Sequence, residues 1–179
     1  MKNIVLIGFM GSGKTAMGRF LSQELEYDFY DTDREMEAAT GVKVNLIVKK
    51  YGKIRYDSEE NLVVKRLARK ERAIIATGGT FIEKQENVET LKRNSVFVYL
   101  QVDEDVIVER LSRRSVKPFQ TKGSLKELVP RIYDQCRPLY EQYGDIIVNT
   151  TNLSMEETAE VILKELKENY DFSLDTETN

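Results

Sequence analysis

At 179 residues and 20.7 kDa the chain has the size of one domain, and its 41% hydrophobic and 32% charged residues are the balance of a folded globular protein, not of a disordered one. The 27 Lys and Arg against 30 Asp and Glu give a net charge of -3, so no global field draws the chain to nucleic acid or to an anionic membrane. With no His and a single cysteine, Cys136, a Ser-His-Asp triad, a His-ligated zinc, an intrachain disulfide and a multi-Cys metal cluster are all excluded.

The first predicted strand, residues 3–7, is too short for a signal-peptide core, and no stretch approaches the roughly 18 apolar residues of a membrane span, so the expected location is the cytoplasm. The strand runs into Gly8-Phe9-Met10-Gly11-Ser12-Gly13-Lys14-Thr15, which fits G-x-x-x-x-G-K-[ST] in full and opens a helical pattern over 14–25. In that setting the glycines let the backbone turn its N–H groups onto phosphate oxygens, Lys14 reaches the outer phosphates of a nucleotide, and the Thr15 hydroxyl ligates Mg²⁺. A plain strand-to-helix turn has no need of the Lys-Thr pair. Gly8, Gly11, Ser12, Gly13, Lys14, Thr15 and Ala16 are therefore candidate nucleotide-binding residues.

A second strand over 28–30 ends in Asp31-Thr32-Asp33, at the edge where open α/β sheets bind ligands. If this strand neighbours the first, both carboxylates lie beside the phosphate loop. Asp31 is then a Mg²⁺ partner, and Asp33 is placed to accept the proton of a hydroxyl being phosphorylated. The alternative is that Asp33 caps the helix that begins there, over 33–39.

Helical patterns follow over 44–50 and 58–69, then a strand over 73–76, a helix over 87–92, a strand over 96–100 and a helix over 105–113. A helix over 125–143, a strand over 146–148 and a helix over 155–169, with Val161, Leu163 and Leu166 as core, complete an α/β pattern: a parallel five-stranded sheet flanked by helices. Residues 112–124 read as a mobile loop of a length that is usually functional, within a single domain of residues 1–170, and 171–179 as a polar tail that frays. The basic run Lys65, Arg66, Arg69, Lys70 and Arg72 alternates with apolar residues at helical spacing and reads as a solvated helix face, not a nucleic-acid patch. A monomer is expected.

Taken together, GFMGSGKT at 8–15, DTD at 31–33 followed by Glu37, Thr40 and Gly41, ATGG at 76–79 and RPLY at 137–140 resemble the shikimate kinases over residues 2–165. The resemblance implies a nucleoside-monophosphate-kinase-like fold, ATP and Mg²⁺, and a closing lid. It implies that Asp31 is the metal carboxylate and Asp33 the substrate-hydroxyl carboxylate, that Gly78 and Gly79 form a substrate-side turn, and that Arg110 packs on adenine.

The family's acceptor pocket is cationic, because shikimate is a carboxylate, and here this chain departs from the pattern. Asp57 falls where the resemblance expects a carboxylate-binding arginine, and Cys136 where it expects a second, with Arg137 one position late. Thr80 replaces a third glycine, and Lys117 a lid arginine, leaving Lys117 as the candidate cation on the transferring phosphate. Three readings stand open: phosphoryl transfer retained with a changed acceptor, neutral or cationic; a genuine shikimate kinase whose clamp is rebuilt from Arg55 or Arg137; and a non-catalytic nucleotide-binding module.

Overall fold

The structure, a computed structural model, describes residues 2–113, 123–170 and 172. In chain order the elements are β1 (Asn3–Ile7), α1 (Lys14–Leu25), β2 (Asp28–Asp31), α2 (Thr32–Thr40), α3 (Val44–Leu67), β3 (Ala73–Ala76), a single 3-10 turn (Phe81–Glu83), α4 (Gln85–Lys92), β4 (Ser95–Gln101), α5 (Glu104–Arg113), α6 (Leu125–Tyr143), β5 (Ile146–Asn149) and α7 (Met155–Asn169). The five strands form one sheet in the order β2-β3-β1-β4-β5, and every pairing is parallel.

Two apolar clusters sandwich this sheet, and the strand residues divide between them with period two. Val5 and Ile7 face a cluster with Met36, Val64, Leu67 and Tyr133, while Ile4 and Leu6 face another with Met17, Leu21, Ile162 and Leu166. β1 and β3 are buried along their whole length because both faces are covered, whereas β5, at the sheet edge, alternates buried and exposed residues.

The structure alters four expectations. β2 does not neighbour β1, because β3 occupies the place between them. The patterns at 44–50 and 58–69 belong to one helical segment, α3, broken at Gly52 (φ 80°, ψ 173°). In α7 the buried stripe runs through Thr158, Ala159, Ile162 and Leu166, leaving Val161 at 40% exposure and outside the core. Phe172, within the expected tail, is buried in the second cluster, since a large apolar side chain gains about 1.5–3 kcal/mol there. The proposed lid falls for the most part, and Lys117 entirely, outside the described residues. Among the described residues no helix is long and apolar enough to cross a membrane.

Candidate active site

The loop from Gly8 to Thr15 leaves the C-terminal end of β1 and turns back into α1. Gly8 sits at φ 145°, and a Cβ there would lie 2.8 Å from the Leu100 carbonyl oxygen, so the path is closed to any side chain. α1 has no side-chain N-cap and no acidic residue in its first turn, which leaves its N–H groups and positive dipole end to an anion. Lys14 is buried, and its Nζ donates to the carbonyls of Gly8 (2.8 Å) and Phe9 (2.9 Å). Burial lowers this ammonium to about 8, against the opposing pull of Asp33 and Asp31. Among the described residues the buried Ser12 hydroxyl has no hydrogen-bond partner, a second group within the loop left for an anion.

Although β3 separates β1 from β2, Ala76 is paired with both Leu6 and Asp31, so the three strands end at one level. The start of α1 spans β3, and Thr15 Oγ1 donates to Asp31 Oδ2 at 2.8 Å. Asp31 Oδ1 accepts from the backbone N–H of Asp33 (3.1 Å) and Arg34 (3.4 Å), so Asp31, and not Asp33, caps α2. Asp33 is thereby free of a structural duty. Its Oδ1 is buried without a partner among the described residues, and burial foremost, then the charge of Asp31, raises its carboxyl to about 6. Gly78 lies so close that a Cβ would sit 2.4 Å from Asp33 Oδ1, while its N–H donates to Thr32 Oγ1 at 2.8 Å. Lys14, Thr15, Asp31, Asp33, Gly78 and Gly79 line one cavity of about 410 Å³. On the other side of the loop, Ser12, Ala16, Leu100, Arg110 and Thr150 line a cavity of about 240 Å³, with Arg110 Nη1 donating to the Gly11 carbonyl at 3.1 Å. The adjoining Thr15 hydroxyl and Asp31 carboxylate are hard oxygen donors of the kind Mg²⁺ takes alongside phosphate oxygens, so this site fits the ion.

Beyond Gly79, next to this cavity, a wall of side chains is built on the 3-10 turn. Thr80 Oγ1 lies 3.3 Å from Tyr56 Oη, which donates to Glu60 at 3.1 Å. Glu60 is fully buried, and its other oxygen accepts from Lys84 (2.6 Å) and Asn87 (3.1 Å). Lys84 Nζ also lies 2.5 Å from Asp57 and 4.7 Å from the centre of the Tyr56 ring. Partial burial works against the Asp57 carboxylate, yet hydrogen bonds from Lys84 and Lys53 hold it below the usual carboxylate range. On the same turn Glu83 Oε1 faces Cys136 Sγ at 3.9 Å, and burial, then the Glu83 charge, pushes that thiol to about 11.

Neither candidate replacement arginine joins this wall. Arg137 reaches Glu104 at 2.9 Å and Asp134, packs over the Tyr133 ring, and lines a separate cavity of about 350 Å³ with Asp103 and Glu104. One residue along α6 is a turn of about 100°, enough to carry it off the face that Cys136 occupies. Arg55 pairs with Glu59 and lines a cavity of about 610 Å³ between α2 and α3, which includes no residue of the phosphate loop. Glu83 and Lys84 carry no sequence signal, because Lys84 meets Asp57 and Glu60 only through the packing of this turn against α3.

A parallel five-stranded sheet with a phosphate loop after its first strand and a carboxylate pair at the same edge defines a P-loop small-molecule kinase. The family model described as shikimate kinase matches residues 10–167. A shikimate kinase of Pelotomaculum thermopropionicum is 42% identical over 168 residues, 94% of this chain and 97% of that one. That of Thermodesulfovibrio yellowstonii is 39% identical over 165 residues, 92% and 95%. Among solved structures, a shikimate kinase from Acinetobacter baumannii in complex with shikimate superposes with a TM-score of 0.84 at 31% identity, covering 95% of each chain. The chain belongs to the shikimate kinase family, and its chemistry is shikimate kinase-like phosphoryl transfer from ATP to a small molecule.

Proposed function

We propose that this kinase phosphorylates a hydroxyl group of a small metabolite that has no carboxylate at the position where shikimate carries one. The observation that carries the reading is the state of Lys84. An ammonium has three N–H donors, and this one is committed to Asp57, to Glu60 and to the face of Tyr56. Among the described residues no other cation meets this wall except Lys53, at the exposed rim of Asp57. Among the described residues, a substrate carboxylate beside Asp57 would find no uncommitted cation on this wall.

In the reaction the acceptor oxygen attacks the γ-phosphorus of ATP. Its O–H proton passes to the Asp33 carboxylate, the bond from phosphorus to the β-phosphate oxygen breaks, and ADP leaves. The transition state is loose, so positioning and charge neutralisation supply most of the catalysis. Lys14 exchanges its two loop carbonyls for phosphate oxygens. Arg110 borders the base cavity. Thr15 and Asp31 would hold Mg²⁺, which when bound neutralises charge on the phosphates. Lys117 is assigned to the transferring phosphate, and the cytoplasm, with its ATP and reduced thiols, is the site of action.

The relatives favour a second reading, shikimate itself, with its clamp rebuilt from groups that move on binding. Coupled ADP release by the full chain with shikimate, glycerol and other polyols decides between them. Poor turnover of shikimate beside efficient turnover of another hydroxyl compound supports the changed acceptor, and efficient shikimate turnover overturns it.

A further inference from the structure

The cleft of about 610 Å³ between α2 and α3 shares no lining residue with the cavity around Asp33 and is the larger of the two. Ile47, 1% exposed, forms its floor with Val42 beside it, and the exposed Ala39 and Tyr51 stand at its mouth. Two charges complete the lining. Glu59 is carried below the surface, 9% exposed, and among the described residues its one ionic partner is the exposed Arg55, one turn earlier on α3. That pair joins a single guanidinium nitrogen, Nη2, to Oε1. Glu59 Oε2 and the other N–H donors of Arg55 have no partner among the described residues, and neither is sealed off. The neighbouring polar groups are engaged. Thr40 Oγ1 donates to the Met36 carbonyl at 2.8 Å, and Glu37 accepts from Lys43 and from the Val44 N–H. The cleft thus sets a cation and an anion side by side at the edge of an apolar floor.

We propose that this cleft binds a free α-amino acid with an apolar side chain. Its carboxylate lies on Arg55, its ammonium on Glu59, and its side chain on Ile47 and Val42. The guanidinium fork matches a carboxylate, and the ammonium has three donors to offer Oε2. The Arg55–Glu59 pair stays intact, because each partner uses atoms the pair leaves over. An amine without the carboxylate would bring a like charge against Arg55, and an acid without the amine would bring one against Glu59. The occupant bridges the helix that bears Asp33 and the helix that bears Asp57, so it is an effector of the kinase and not its substrate. This holds whichever acceptor the kinase uses.

Calorimetry on the full chain compares L-leucine with 3-methylbutylamine, which lacks the carboxylate, and 4-methylpentanoate, which lacks the amine. Leucine is expected to bind saturably, and each analogue at least about tenfold more weakly. Arg55→Met and Glu59→Gln should each weaken leucine at least about tenfold, while affinity for ATP with Mg²⁺ stays within about twofold. Arg55 is exposed, so its variant carries the test even if Glu59→Gln fails to fold. No saturable binding of leucine, equal binding of either analogue, or leucine affinity unchanged in Arg55→Met would overturn the proposal. Competition between leucine and ATP would place leucine in the catalytic cavity and overturn it as well.

Discussion

Lys84 Nζ stands 2.6 Å from Glu60 Oε2, and that carboxylate is shut off from solvent altogether. Removing one partner of a buried ion pair leaves an uncompensated charge in the interior, at a cost of about 3–5 kcal/mol. Lys84→Met is therefore expected to lower the denaturant midpoint strongly, and adding Glu60→Gln in the same chain should recover much of the loss. Urea unfolding of the two single variants and the double variant measures this, and additive effects would show the pair is uncoupled.

Asp33 combines a carboxyl raised to about 6 with a partnerless oxygen in the cavity. Only the ionised form accepts a proton, so kcat/KM should rise with pH through about 6, the value in the unliganded chain. Asp33→Asn should lower kcat at least about 100-fold while ATP binding by calorimetry stays within a few-fold. The stability consequence has the opposite sign. The folded chain holds this proton more tightly than the unfolded chain, whose carboxyl titrates at 3.8, so the contribution of Asp33 is most favourable below 3.8 and is lost as pH rises through about 6. Asp33→Asn should flatten the pH dependence of the melting temperature across that window.

Gly78→Ala tests how closely the turn approaches the carboxylate. The new methyl would start 2.4 Å from Asp33 Oδ1, so Asp33 must move, and a shift of about 1 Å at a reacting group can cost on the order of 100-fold in rate. The expected outcome is a loss of at least tenfold in kcat with ATP affinity nearly unchanged. Wild-type kcat in this variant would mean that Asp33 does not work from the position it holds here.

Converting the acceptor wall back to a cationic one requires three changes. An arginine at position 57 would enter beside Lys84, a like-charge contact of order 1–4 kcal/mol at about 4 Å depending on the effective dielectric. Asp57→Arg with Cys136→Arg should raise kcat/KM for shikimate more than either change alone, and adding Lys84→Ser should raise it further in a Glu60→Gln background, where no buried charge is left unpaired. No gain in that combined variant would show that these positions do not set acceptor charge.

What the sequence discloses and what it hides divide along one physical line. The loop of residues 8–15 and the pair Asp31 and Asp33 are readable because their spacing is local, and a strand, a turn and a helix N-terminus follow from neighbouring residues. The departures at Asp57 and Cys136 are visible against the family pattern for the same reason. Their compensation is not, since Lys84 is 27 positions from Asp57 and 24 from Glu60, and only the packing of α3 against the turn joins them. The order of the sheet is hidden too. Nothing in β1 or β2 announces that a strand 42 residues beyond Asp31 will lie between them.

The placement of β3 sets how the two halves of the reaction can change. One strand end, at Ala76, leads into the glycines beside Asp33 and then into the turn bearing Thr80, Glu83 and Lys84, whereas the phosphate loop and its lysine hang from the neighbouring strand. On the proposed reading, donor chemistry and acceptor recognition therefore belong to different backbone segments that meet at one sheet edge. A library confined to positions 57, 80, 83, 84 and 136 can explore new alcohols while every ATP contact named here keeps its residue, so a search for altered acceptors in this scaffold starts from five codons.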